Sequence, residues 1–203
     1  MSVAAAVHHL SEAEYLALER SAEFKSEFFD GEMFAMAGGT PEHSLIATNL
    51  GREFGNRLKD RPCAAYNSDL RVKVEATGLC TYPDLSVVCG PLRFAGQERD
   101  TIVNPTVLVE VLSDSTEAYD RGKKFEHYRR ISSLREYLLV SQSEPRIEQF
   151  IRQENGSWLL REAAGLEAHL ELPSLQIRLA LAEVFARVEF NPAAIRPLPP
   201  PPA

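Results

Sequence analysis

Cysteine is scarce in this chain, tryptophan occurs once, and no apolar run approaches the length of a bilayer. The three cysteines, Cys63, Cys80 and Cys89, are an odd number at wide spacing with no C-x-x-C pair. That pattern argues against a zinc framework and against a disulfide scaffold, and it leads us to expect a reducing, cytoplasmic setting. Thr106–Leu112, one of the longest apolar stretches, falls far short of the roughly 20 residues a spanning helix needs, so no membrane partner is expected. Met1–Leu10 lacks a basic segment followed by an apolar core, and no secretory leader is read there. Positive charge is also short. Lys plus Arg number 22 against 29 Asp plus Glu, giving −7, which weighs against strong non-specific attraction to nucleic acid. Gly38-Gly39-Thr40 has neither the lysine nor the spacing of a phosphate-binding P-loop. No Gly-x-Ser-x-Gly and no Cys/His pairing offers a covalent nucleophile.

What is present is 44% apolar and 25% charged, distributed along 203 residues as in one globular domain. We assign residues 1–190 to that domain and 191–203 to an extended or disordered tail, rich in proline at Pro192, Pro197 and Pro199 to Pro202. Ser11 and Glu14 form a capping box, Leu10 can staple onto Tyr15, and the helix so begun runs to about Ser21. Phe24–Phe29 and Glu32–Ala37 flank Asp30-Gly31, a hairpin turn that needs φ > 0. Thr40-Pro41 opens a second helix to about Asp60, with Ile46, Leu50, Phe54 and Leu58 near helical spacing. Ala64–Val74 and Cys80–Cys89 read as one hairpin, followed by a loop over Pro91–Asn104. Thr106–Leu112 is β-branched and apolar on both faces, as a buried central strand is. Asp120–Ile131 is expected to be helical and Glu136–Ser141 a strand. A further hairpin is expected around Asn155-Gly156, and a closing helix over Leu179–Val188. The order from Pro41 is helix, three strands, helix, strand: an α/β sandwich on a mixed sheet.

Glu110 is the residue most at odds with its surroundings. A carboxylate inside Val107-Leu108-Val109-Glu110-Val111-Leu112 loses hydration and requires a cation, either a basic side chain or a metal. Asp84 in Tyr82-Pro83-Asp84 heads an apolar strand and supplies a second carboxylate. Asp69 is a third candidate. A tight hairpin would set it across from Asp84 or its neighbour, with a cation between them; otherwise it closes a turn with Asn67 and Ser68. Asp120, Lys124 and Tyr128 are four apart and share a helix face. There Lys124 either neutralises Glu110 or polarises a water beside a metal. His43, in the first turn of the second helix, is a ligand, a base or an exposed surface residue.

Taken in order, several segments resemble the Uma-type restriction endonuclease family of the PD-(D/E)xK nuclease superfamily. They are Phe24–Ala37 with Asp30-Gly31-Glu32, Pro41-Glu42-His43, Ser68-Asp69-Leu70-Arg71-Val72 and Tyr82-Pro83-Asp84. They continue through Val109-Glu110-Val111-Leu112-Ser113, Asp120-x-x-x-Lys124-x-x-x-Tyr128 and Arg135-Glu136-Tyr137. The resemblance implies a restriction-endonuclease-like core, with a terminal helix and hairpins added. It also implies divalent-metal hydrolysis of DNA phosphodiester bonds by a homodimer. Asp84, Glu110 and the Val111 carbonyl would hold Mg²⁺ or Mn²⁺. Lys124 would be the catalytic lysine, because Leu112 stands where the superfamily usually has one. His43, Asp69, Asp120 and Tyr128 would be accessory residues. A basic helix carrying Arg121, Lys123, Lys124, Arg129 and Arg130 would meet the phosphates.

Overall fold

A computed structural model describes residues 9–36 and 38–190; the assigned tail lies outside the described residues, as does most of Met1–Leu10. The first helix, α1 (Glu12–Ser21), carries the expected capping box, and Leu10 packs beside Tyr15. Strands β1 (Ser26–Phe29) and β2 (Glu32–Ala35) form the hairpin, with Asp30 and Gly31 both at positive φ. Helix α2 (Pro41–Leu58) starts at Thr40, whose hydroxyl accepts the His43 N–H.

The long middle hairpin is in fact split between two sheets. β3 (Cys63–Asn67) pairs with β6 (Leu85–Cys89), and β4 (Arg71–Val74) pairs with β5 (Leu79–Thr81). Cys63 faces Cys89 and Asn67 faces Leu85, whereas Val72 faces Thr81 and Val74 faces Leu79, a one-residue change of register. The break falls at the turn over residues 68–70 and at Pro83, which has no N–H to give a ladder. The loop after β6 contributes β7 (Thr101–Ile102), parallel to β4.

β8 (Val107–Val111) lies antiparallel to β6 and parallel to β9 (Glu136–Val140). The crossover between them is α3 (Glu117–Tyr119), a π-helical turn at Asp120–Lys124, and α4 (Phe125–Tyr128). The uninterrupted helix expected to Ile131 is therefore widened at its start and ends sooner. β10 (Arg146–Arg152) and β11 (Trp158–Ala164) complete a six-stranded sheet ordered β11-β10-β9-β8-β6-β3. A five-stranded sheet, β2-β1-β5-β4-β7, stands apart from it. Near the end, β12 (His169–Leu172) pairs with β13 (Ile177–Ala180), and only Leu181–Val184 (α5) is helical where a longer closing helix was expected.

β8 is buried on both faces. Val107, Val109 and Val111 point with Leu85, Val87, Leu138 and Val140 into a core closed by Ile46, Leu50, Phe54 and Leu58 of α2. Leu108 and Leu112 face the other way, toward Tyr128, Ile131 and Leu134 and toward Val72, Val74 and Leu79 of the second sheet. Strand alternation puts Glu110 on this second face. The helix, three strands, helix, strand core is thus α2, β3-β6-β8, α3 to α4, and β9.

The cysteine reading needs correction. Cys63 and Cys89 are joined in a disulfide, and only Cys80 is free and buried. They are far apart in sequence but are direct cross-strand partners, which wide spacing conceals. The bridge also removes the cysteine argument for a reducing compartment. Among the described residues no helix is long and apolar enough to cross a membrane.

Candidate active site

Asp84 stands immediately before β6, and its Oδ2 accepts the Val111 N–H at 2.7 Å. The β8 residue that follows Glu110 is thereby tied to the first carboxylate. His43 Nε2 lies 3.3 Å from the same Oδ2, delivered by the first turn of α2. That contact with Asp84 raises the His43 pKa; burial opposes it, and the Asp84 charge and the Val111 carbonyl add to the rise. The imidazole is therefore not the exposed surface group that position allowed.

Glu110 lies one residue deeper. Its Oε1 accepts from Tyr128 Oη at 2.7 Å and meets Lys124 Nζ at 3.0 Å. Lys124 also reaches Glu27 Oε1 at 3.0 Å and Asp120 Oδ1 at 3.5 Å. Burial pushes the Glu110 carboxyl up to about 8; Lys124 works against this, while the Asp120 and Asp84 charges add to it. Asp120 is raised for the same first reason, burial. Burial pulls Lys124 down, but Glu110, Glu27 and Asp120 outweigh it and hold the ammonium well above its ordinary range. Burial is thus the main reason that Glu110 is raised, and the single ammonium shared with Glu27 and Asp120 does not reverse it.

The sequence candidates thus sort cleanly. Asp84, His43 and Val111 meet at one point, and Glu110, Lys124, Asp120 and Tyr128 at the next. Asp69 does not join them. It sits in the turn where β3 and β4 separate, accepts from Asn67 Nδ2, pairs with Lys25, and leaves 74% of its side chain exposed. Lys25 holds its carboxyl below the usual range. The turn reading of Asp69 is the correct one. Glu27 was missed: it belongs to β1, accepts from the Thr81 hydroxyl, and reaches Lys124 because the second sheet packs over α4. Its signal was an acidic residue inside Ser26-Glu27-Phe28-Phe29, a run read only for its hairpin. The basic helix also changes. Lys124 is buried, and Arg121 is committed to Glu117 and Glu148.

Asp120 and Lys124, four apart, both face inward from the π-helical turn, as their helical spacing leads one to expect. Both side chains lie beneath the sheet, each about 5% exposed or less. Residues lining one groove of about 970 Å³ include His43, Asp84, Gly51, Gly55 and Phe24, so the Asp84 end of the cluster is reached from solvent.

Whether these donors suit a dication is a matter of their oxygens. The contacts to Asp84 from Val111 and His43 both fall on Oδ2, and those to Glu110 from Tyr128 and Lys124 both fall on Oε1. The second oxygen of each carboxylate is not engaged by these groups. Hard carboxylate oxygens suit Mg²⁺ or Mn²⁺, and Mg²⁺ is held by one or two carboxylates with several waters. Among the described residues no group of three or more His, Cys, Asp or Glu side chains is placed to hold a metal ion. The set fits an open two-carboxylate site, not a cage.

The profile of the Uma2 family, described as "Putative restriction endonuclease", matches residues 12–182. The chain belongs to the Uma2 family. Two relatives from a Synechocystis strain are uncharacterized proteins. Protein slr1290 is 38% identical over 181 residues, covering 89% of this chain and 94% of the relative. Protein sll1609 is 34% identical over 177 residues, covering 87% and 100%. A crystal structure from Anabaena variabilis, described as "a putative nuclease belonging to DUF820", superposes with a TM-score of 0.69 at 20% identity. It covers 85% of this chain and 96% of that one. That likeness establishes the fold, which is the restriction-endonuclease-like α/β architecture.

Proposed function

We propose that this Uma2 protein is a divalent-cation-dependent endonuclease that hydrolyses DNA phosphodiester bonds. The observation that carries the reading is the Asp84–Val111–Glu110 junction. Asp84, at the head of β6, accepts the Val111 N–H at 2.7 Å and so stands beside the residue that follows Glu110 on the adjacent antiparallel strand. Asp84, Glu110 and the Val111 carbonyl are the residues that would hold Mg²⁺ or Mn²⁺. When bound, such an ion lowers the pKa of a water and offsets charge growing on the phosphate.

The chain's own groups do the rest. Lys124 keeps its proton, fixed at Nζ by three carboxylates, and serves as a permanent cation beside the reacting phosphate. Tyr128 fixes the Glu110 rotamer through its hydroxyl. His43, at Asp84 and open to the groove, holds a proton at Nε2 that can be passed to a leaving oxygen. Cutting both strands takes two such sites, so a homodimer is the assembly we propose.

The test is plasmid cleavage with Mg²⁺ or Mn²⁺. Asp84→Asn and Glu110→Gln are each expected to remove at least 100-fold of the rate, on the order of what losing one stabilising group costs. Cleavage that survives both substitutions overturns the site.

One observation favours a second reading. Lys124 already supplies a cation to Glu110, and His43 lies against Asp84. A DNA-binding protein that has kept the fold without catalysis would look the same. Calorimetry separates the two, since DNA binding with no uptake of Mn²⁺ selects the second.

A further inference from the structure

A second cavity, of about 480 Å³, lies away from the acidic cluster. It is lined by Phe125, Arg129, Arg130, Arg152, Gly156, Ser157 and Trp158. Three guanidinium groups and no carboxylate face it, in a chain whose formal charge is −7.

The three arginines divide into two roles. Arg152 is fully committed. Its Nη1 donates to the carbonyls of Ile131, Ser132 and Leu134, its Nη2 donates to that of Arg129, and its guanidinium lies 5.3 Å from the Trp158 ring centroid. It therefore covers carbonyls of the turn that follows α4, oxygens that would otherwise repel an anion. Arg129 and Arg130 are exposed, and among the described residues neither side chain makes an ion pair or hydrogen bond. Arg20, Arg57 and Arg121, by contrast, are each paired with a carboxylate. Two unpaired guanidiniums beside a wall made by a third and an indole form a docking point for an anion with an apolar neighbour.

Position decides which anion. Glu110 is opposite Leu139, four residues along β9 from Arg135, whose carbonyl accepts the Arg152 N–H. At strand rise and strand spacing, the cavity lies on the order of 15–20 Å from the cluster. The cavity and Glu110 share the α4 face of the sheet, since Phe125 stacks on Tyr137 while Tyr128 of the same helix reaches Glu110, whereas Asp84 opens to the groove beside α2. A polymer bearing about one charge per 1.7 Å of axis, once seated at Asp84 and Glu110, brings further phosphates to this distance.

We propose that Arg129 and Arg130 form a second, non-catalytic binding site for the phosphodiester backbone of nucleic acid, which anchors the strand while Asp84 and Glu110 act on it. This rests on the nuclease reading for its choice of ligand.

The experiment is fluorescence anisotropy of a labelled DNA duplex across a salt series, with the full chain in Ca²⁺ to suppress cleavage. Wild type, Arg129→Gln/Arg130→Gln and the charge-matched control Lys59→Gln/Arg93→Gln are compared, each confirmed folded by its circular dichroism melt. The arginine pair is expected to bind at least 10-fold more weakly and to lower the slope of log affinity against log salt by about 2, one for each phosphate no longer neutralised. The control is expected to lose far less. Equal losses in the two double variants, or no loss in either, overturn the proposal. So does loss of binding to phosphatidylserine vesicles with DNA binding intact. Failure of the nuclease reading shows separately. Wild type that binds DNA through these arginines but leaves plasmid uncut in Mg²⁺ and Mn²⁺ keeps the anchor and removes the catalysis. Wild type that cuts, with the arginine variant binding normally, does the reverse.

Discussion

Asp84 accepts the amide hydrogen of Val111 through Oδ2 at 2.7 Å, so the first acidic residue is a structural clamp on the strand that carries the second. The two roles separate by substitution. Asp84→Asn keeps a carbonyl oxygen to accept the N–H and removes only the charge. Asp84→Ala removes both and leaves a largely buried donor without its partner, a loss of about 1.5–3 kcal/mol for a bond to a charged group. We expect both variants to lose cleavage and only the alanine variant to lose stability by that amount. Urea unfolding of the pair checks it. Equal stabilities mean the clamp contributes nothing.

Lys124 is held by Glu110, Glu27 and Asp120 and is buried with them. Removing one partner of a buried ion pair costs about 3–5 kcal/mol, because the charge left behind is uncompensated. Lys124→Met is therefore expected to be severely destabilised at pH 8, and the double variant Glu110→Gln/Lys124→Met to recover a substantial part of the loss. A double-mutant cycle measures the coupling. Additive losses show that the two side chains are neighbours only.

Much of this arrangement was legible before any fold was known. Glu110 was exposed by contrast, a charge inside a β-branched run, and Lys124 and Tyr128 followed from helical spacing. Proximity across sheets was not legible. Glu27 reaches Lys124 only because β1 joins a second sheet, and that sheet exists because the β3 to β6 hairpin breaks at Pro83. The same break carries Asp69 off the ladder. A single register rule applied through the break brings Asp69 to Asp84, whereas Asp69 lies in the turn between the two ladders and pairs with Lys25. The β12-β13 hairpin was hidden because Leu170, Leu172, Ile177 and Leu179 alternate only over four residues each, and the last pair reads equally well as a helix start.

Stability without added metal is expected to fall as pH rises. Glu110 goes from an ordinary value of 4.5 to about 8 on burial, so between those values the folded protein keeps a proton that the unfolded chain has released. The stabilisation is complete below 4.5 and is lost as pH climbs through 8. His43, raised by Asp84, adds a slope of the same sign above its ordinary 6.5. Melting temperatures from pH 5 to 9 should decline in wild type and decline less in Glu110→Gln, which has no proton to lose. Under the proposed function, Mn²⁺ should flatten the wild-type slope by binding the ionised carboxylate. Parallel slopes in the two proteins would place the titration elsewhere.

The Cys63–Cys89 bridge gives a prediction that needs no assumption about catalysis. It joins direct partners on β3 and β6, and β3 is the edge of the six-stranded sheet. Closing a loop over a separation of 26 residues restricts the unfolded chain by about 3–4 kcal/mol in the entropic account. Cys80 is buried, and burial pushes its thiol up to about 11, so it is inert in the folded protein. Thiol titration should therefore find no fast-reacting group in the native protein, one after denaturation, and three after denaturation with reductant. Reduction alone should lower the melting temperature without changing the number of sheet residues seen by circular dichroism, because the β3-β6 ladder stands on its own hydrogen bonds. Three thiols in the denatured, unreduced protein would mean that the strands pair with the sulfurs unjoined, and the shift on reduction should then vanish.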